Sequence, residues 1–190
     1  MRTVSFLPLS HIAAQYGDTF MVIPRGGCVY FTDPSAMRGT LVDYLREVKP
    51  TIQIAVPRVF EKMEEKVRAG LEQKPFIYKW ATYYGKIGTD LQMKNKAPPV
   101  MFNVFNKLVY SKVKEMIGLD QCVKIISGAA PIPMKTREFF FSLNMFINNT
   151  FGMSETTAPM THLFTEDFPL YDLTSAGKTF PGTETIVVKS

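Results

Sequence analysis

The chain has 190 residues, of which 46% are hydrophobic and 21% charged, which is the composition of a folded globular protein and not of a disordered one. Its 22 lysines and arginines exceed its 17 acidic residues by five, a mild excess that suits anionic small molecules and does not by itself indicate nucleic acid. Cys28 and Cys122 lie far apart, no apolar run approaches the roughly 20 residues that span a bilayer, and the N-terminus makes a poor signal peptide, so we expect a cytoplasmic protein without a disulfide scaffold.

Short strands and helices alternate along the first third of the sequence. Residues 4–11 predict a strand and a turn, with Ser10 expected to cap the helix that follows. VYF at 29–31 predicts a second strand, and apolar residues recur at helical spacing over 36–47. The β-branched run 52–56 predicts a buried strand of a parallel sheet.

The clearest amphipathic helix begins at Pro57, and its apolar stripe consists of Val59, Phe60, Met63, Val67 and Leu71. Residues 74–100 are less regular, with aromatic residues and lysines, whereas 102–117 predict a second helix that stops at Gly118. A strand at 123–127, a helix around 133–142 and a strand at 145–147 complete the pattern. The alternation predicts an α/β fold with a largely parallel sheet.

Two polar, glycine-containing turns follow two successive predicted strands: SGAAP after 123–127 and TFGMSETT after 145–147. Ligands of open α/β sheets bind beyond the carboxyl ends of the strands. Small residues in the first turn allow a flat ring to approach the backbone, and Ser154, Thr156, Thr157 and Glu155 offer hydroxyls for phosphate and a carboxylate for Mg²⁺. The alternative is that SGAAP is an ordinary strand-to-helix turn and that Ser154 only caps a short helix.

The order LPLSH, TIQIAVPRVFEKM, SGAAPIP and FGMSETTAP resembles the acyl-activating (adenylate-forming) enzymes, and among them the long-chain acyl-CoA synthetases of the bubblegum type. The resemblance runs from about Val4 to about Gly182. It implies an AMP-binding α/β domain with a mostly parallel sheet flanked by helices. It also implies a reaction in which a long-chain fatty acid, ATP with Mg²⁺, and coenzyme A give an acyl-adenylate and then a thioester.

The resemblance also implies roles for individual residues. Gly128, Ala129 and Ala130 match the turn that lines adenine, and Phe151 matches an aromatic residue, usually tyrosine, that packs on it. The adenylate loop matches Gly152, Met153, Ser154 and Thr156, with the Thr156 hydroxyl at the α-phosphate; Glu155 matches the Mg²⁺ ligand, and His11 a histidine near the acyl carboxylate and the coenzyme A channel. A packing or capping role is the alternative for His11, and His162 matches no role.

The Ser/Thr/Gly-rich phosphate loop ending in Pro-Lys-Gly and the Thr-Gly-Asp ribose segment do not occur in this sequence. We therefore expect residues 1–190 to be the central part of an AMP-binding domain, without its phosphate loop or C-terminal domain. Whether this chain is active alone is open, and a non-catalytic protein that binds nucleotide, acyl chains or a partner is the alternative. A peripheral membrane contact through residues 74–112, at the endoplasmic reticulum or another intracellular membrane, is also open, against a solvated face with core aromatics.

Overall fold

The computed structural model describes residues 1–163, 172–186 and 188. Its strands are β1 (Arg2–Ser5), β2 (Cys28–Phe31), β3 (Ile52–Ala55), β4 (Lys124–Ser127), β5 (Ile147–Met153), β6 (Ala158–His162) and β7 (Lys178–Thr179). Its α-helices are α1 (Ile12–Ala14), α2 (Leu41–Val48), α3 (Pro57–Leu71), α4 (Pro75–Met93), α5 (Val100–Phe105), α6 (Ser111–Met116) and α7 (Met134–Phe141). Segments of π-helix continue α1 over Gln15–Phe20 and join α5 to α6 over Asn106–Tyr110.

The main sheet has the order β3-β4-β5-β6-β7. Strands β3, β4 and β5 are parallel, and Ile54, Ile126 and Asn148 lie side by side across them. Strand β6 then pairs antiparallel with β5, and β7 antiparallel with β6. The predicted α/β fold with a mostly parallel sheet is confirmed for the centre of the molecule, and the antiparallel end is an addition to it.

The parallel pair β1–β2 lies against the free edge of β3. The Thr51 N–H donates to the Arg2 carbonyl at 2.9 Å, and the Gln53 side-chain amide donates to the Val4 carbonyl at 3.4 Å. Residue 2 contacts residue 51 and residue 4 contacts residue 53, so the residue numbers increase in the same direction along both strands. Strands β1 and β3 therefore run parallel. The spatial order is therefore β2-β1-β3-β4-β5-β6-β7. Strand β2 lies on one side of β1, whereas β3 and the later strands lie on the other side, so the order of the strands reverses between β1 and β3.

Helices α3 and α7 pack together over one face of this sheet. The rings of Phe60 and Phe140 meet edge to face at 6.2 Å, and the Arg68 guanidinium lies 4.2 Å from the centre of the Phe139 ring. One apolar cluster joins the helices to both sheets and extends from Val4 to Ile147. Among the described residues, no helix combines the length and the hydropathy needed to cross a bilayer.

Three expectations from the sequence were wrong in detail. The residue that caps α1 is His11 and not Ser10, because the His11 imidazole accepts the Ala13 N–H. Residues 75–93, which show no apolar period, form a 19-residue helix. We expected a strand at 145–147 and a turn from Thr150, but β5 runs from Ile147 to Met153, because β4 pairs with it as far as Asn149 and β6 pairs with it from Thr150 onward.

The period of α4 is hidden because four of its five buried residues are small, namely Ala81, Gly85, Gly88 and Thr89; the fifth is Met93 at its C-terminal end. A side chain at Gly85 would overlap the Ser142 carbonyl, and one at Gly88 would overlap the Phe102 ring. The backbone of the helix therefore packs closely against the core, and its large residues other than Met93 lie outside the buried set.

Candidate functional site

A cavity of about 270 Å³ opens where the order of the strands reverses. Its wall combines residues that follow β1 (Leu7 and His11) with the end of β3 (Ala55) and the turn after β4 (Gly128). The reversal of strand order is where open α/β sheets hold ligands. The rest of the wall is apolar with a few polar groups: Ile12, Ala13, Tyr16, Met21, Arg25, Ile54, Val56, Lys124, Ile126, Ala129, Thr150, Gly152, Pro159, His162 and Phe180.

The turn after β4 comes into direct contact with β5. Gly128 is buried, and a side chain there would place its Cβ 2.7 Å from Cγ2 of Thr150. The next residue, Ala129, has a φ of 70°, in the left-handed region that residues with a Cβ seldom adopt. Strained backbone of this kind is concentrated at binding sites. Ala129 and Ala130 are exposed, so a planar ligand has access to this turn.

The turn after β5 is a short 3₁₀ segment, Ser154–Thr156, that begins after Met153 and ends at the left-handed Thr157. Ser154 does not cap it. Instead, the Thr156 hydroxyl accepts the Met153 N–H at 3.3 Å and donates to the Met153 carbonyl at 3.0 Å. A hydroxyl has one proton, so donation to a phosphate would require this internal hydrogen bond to open.

Glu155 lies at the centre of this turn and is exposed. Within the described residues, no group of three or more His, Cys, Asp or Glu side chains is suitably placed to hold a metal ion. A lone carboxylate nevertheless fits Mg²⁺, which commonly takes one or two protein carboxylates and completes its shell with substrate phosphate and water. Glu155 would hold such an ion only together with a nucleotide.

His11 caps a helix and also lines the cavity. Its Nδ1 accepts the Ala13 N–H at 3.0 Å, which caps α1, and its ring lines the cavity. With Nδ1 used as an acceptor, Nε2 is the nitrogen left for a ligand. The cap therefore fixes the orientation in which the imidazole faces the cavity.

The cavity brings together four of the residues expected at the site: His11, Gly128, Ala129 and Gly152. The remaining ones adjoin these or follow them closely in sequence but do not form the cavity wall: Ala130, Phe151, Met153, Ser154, Glu155 and Thr156. Phe151 is 51% exposed, so its ring is available to a ligand outside the cavity.

Sequence reasoning missed several polar residues of the wall. His162 is buried opposite Thr150 in the β5–β6 hairpin, and its ring meets Phe180 edge to face at 6.1 Å. Burial raises the pKa of Tyr16, an effect that nearby Arg25 partly offsets, so the phenol stays a neutral donor. The β5–β6 pairing and the π-helical segment bring these residues to the cavity, and neither leaves a periodic signal in the sequence.

Comparison with known proteins is consistent with this geometry. The family model "AMP-binding enzyme" matches residues 1–190. The long-chain-fatty-acid–CoA ligase ACSBG2 of Gallus gallus is 43% identical over 98% of this chain, and that of Homo sapiens is 41% identical over 94%. These matches cover 25% and 27% of the two relatives, so the chain spans about a quarter of their length.

A solved structure shows the same fold. The A domain of carboxylic acid reductase from Segniliparus rugosus, in complex with AMP and a co-purified carboxylic acid, superposes with a TM-score of 0.59 at 19% identity. The match covers 85% of this chain and 22% of that one. With a family model that matches all 190 residues and relatives above 40% identity along almost the whole chain, the protein belongs to the AMP-binding enzyme family.

Proposed function

We propose that this chain forms part of a long-chain-fatty-acid–CoA ligase, as the central section of its AMP-binding domain. The observation that carries the proposal is the cavity at the reversal of strand order, where His11, Gly128, Ala129 and Gly152 share a wall that is otherwise mainly apolar. An apolar cavity accepts an acyl chain, and a polar turn beside it accepts the nucleotide to which that chain is joined.

The proposed reaction has two steps. A carboxylate oxygen of the fatty acid attacks the α-phosphorus of ATP, and the bond to pyrophosphate breaks to give an acyl-adenylate. The coenzyme A thiolate then attacks the acyl carbon, forming a thioester and releasing AMP. Adenine would pack between Phe151 and the turn 128–130, and His11 would face the acyl carboxylate. Mg²⁺, when bound at Glu155, would supply positive charge to the phosphates.

The first test is calorimetric titration of the purified chain with AMP, ATP with Mg²⁺, and a non-hydrolysable acyl-adenylate analogue. We expect all three to bind. Glu155→Gln should weaken binding of ATP with Mg²⁺ roughly tenfold, the scale of one charged contact, and leave AMP unchanged. Glu65→Gln on the exposed side of α3 is the matched control. Absence of heat with all three ligands would contradict the proposal.

A non-catalytic binding protein is the second candidate function. The observation favouring it is that the Thr156 hydroxyl is already hydrogen-bonded within its own turn. Formation of acyl-CoA from fatty acid, ATP and coenzyme A separates the two candidates. Turnover that is lost in Glu155→Gln supports the ligase, and ligand binding without turnover supports the binding protein.

We also propose that the protein acts in the cytoplasm and contacts an intracellular membrane at its surface. The support is the nature of the acyl substrate, which partitions into lipid, together with the exposed aromatic residues and lysines of α4 and the exposed aliphatic residues of α5.

A further inference from the structure

The net positive charge of the chain comes from one segment. Residues 74–112 contain seven lysines and a single acidic residue, Asp90, which gives this segment a formal charge of +6. The other parts of the chain hold 15 basic and 16 acidic residues, a formal charge of −1. The mild excess of basic residues in the whole chain therefore comes from a strongly basic region of 39 residues, and the other parts of the chain are nearly neutral.

All seven lysines of this segment are exposed: Lys74, Lys79, Lys86, Lys94, Lys96, Lys107 and Lys112. Lys94 pairs with Asp90 at 2.7 Å. The other six form no ion pair with any residue that the structure describes. Their positive charge is available to an anionic partner.

Large apolar side chains are exposed between these lysines. We name the group the α4–α5 face: Phe76, Ile77, Trp80, Tyr83, Val100, Met101, Val104 and Leu108. Phe76 and Val100 are 81% and 80% exposed, and Trp80 is 54% exposed. Solvated helix faces do not normally present such a group, because exposed apolar residues are usually scattered singly.

Stacked rings hold the two helices of this face together. Trp80 stacks on Tyr84 at 5.9 Å, and Tyr84 stacks on Phe105 of α5 at 5.9 Å. The opposite side of α4 is fixed to the core through Gly85 and Gly88. The face is thus a firm platform, with Lys79 and Lys86 two helical turns apart beside its aromatic row.

We propose that the α4–α5 face binds the surface of an anionic lipid bilayer, with its aromatic and aliphatic side chains in the interfacial layer and its lysines on the lipid headgroups. Amphipathic tryptophan and tyrosine rings favour this layer, and each lysine close to an anionic surface adds affinity. The inference deepens the membrane part of the proposed function and does not depend on the ligase reaction.

Trp80 makes a direct test possible because it is the only tryptophan of the chain and lies in the face. The purified chain is mixed with vesicles of phosphatidylcholine, or of phosphatidylcholine and phosphatidylserine, and tryptophan emission is recorded. We expect a blue shift and quenching by brominated lipid with the anionic vesicles, much less with the neutral ones, and a decrease in binding as salt is raised.

Two variants and a matched control locate the contact. Lys79→Glu with Lys107→Glu should weaken binding to the anionic vesicles by at least about tenfold, and Phe76→Ala should reduce the extent of the blue shift. Lys62→Glu with Lys66→Glu makes the same charge change on exposed positions of α3 and should leave binding largely intact. Circular dichroism of each variant verifies its fold.

Three results would overturn the proposal. The first is an unchanged emission spectrum with anionic vesicles, and the second is equal loss of binding in the α3 control. The third is light scattering that shows a dimer abolished by the α4–α5 variants, because the face would then be occupied by a second copy of the chain. None of these measurements uses ligase activity, so failure here is distinct from failure of the nucleotide titration.

Discussion

At Gly128, an added methyl group would lie 2.7 Å from Cγ2 of Thr150. The Cγ2 methyl of Thr150 cannot rotate away freely, because the Thr150 hydroxyl donates to the Thr161 carbonyl at 2.8 Å. We expect Gly128→Ala to lower the free energy of unfolding by about 1–3 kcal/mol, the usual cost of overpacking. Urea denaturation followed by circular dichroism measures the change.

A second substitution, Thr150→Ser, removes the Cγ2 methyl of residue 150 and keeps its hydroxyl. In the double variant Gly128→Ala with Thr150→Ser, we expect more than half of the lost stability to return, since the next nearest atom to the new methyl is 3.5 Å away. Strictly additive effects would show that Gly128 in the turn after β4 does not contact Thr150 in β5.

The two cysteines differ in their surroundings. Burial raises the pKa of the Cys122 thiol to about 12, and its Sγ donates to the Lys124 carbonyl at 3.1 Å, whereas Cys28 is exposed. Because the thiolate is the reactive form, we expect Ellman's reagent at mildly alkaline pH to modify Cys28 at least about tenfold faster than Cys122. In urea the two rates should converge, and two equal rates in the native protein would contradict the assignment.

At the scale of the element, the backbone of α4 packs closely against its neighbours because most of its buried residues are small. Alanine favours helices over glycine by roughly 1 kcal/mol, yet Gly88→Ala should destabilise the protein by about 1–3 kcal/mol because its methyl would overlap the Phe102 ring. Gly70→Ala in α3 is the control, since an added Cβ there has open space around it, and it should stabilise. Equal effects of the two substitutions in thermal unfolding would refute this packing.

The side-chain pattern of each element explains whether the sequence predicted it. Helix α3 carries its apolar residues at helical spacing, and it begins at Pro57 as expected. Helix α4 escaped prediction because small residues face the core and Trp80 and Tyr83 face outward, which inverts the usual pattern. The strand predicted at 145–147 overlaps β5 only at Ile147, because residues 148–153 owe their strand geometry to pairing with β4 as far as Asn149 and with β6 from Thr150 onward.

At the scale of the whole molecule, the alternation of strands and helices predicted the parallel arrangement of β3, β4 and β5, and four of the ten residues expected at the site line the cavity. The sequence did not reveal where the direction of strand addition reverses, because that depends on the contact between β1 and β3 across 49 residues. It therefore did not predict that His162, Tyr16 and Arg25 reach the same cavity as His11. Tertiary contacts of this kind leave no local periodicity.

The order β2-β1-β3-β4-β5-β6-β7 has a consequence for how the protein is made. Each strand after β1 is added at an outer edge of the strands that precede it in the chain, first β2 on one side and then β3 to β7 in succession on the other. Among the seven described strands, none has to be inserted between two that are already paired. These seven strands can therefore join one another in the order of synthesis without breaking a hydrogen-bonded ladder that they have already formed.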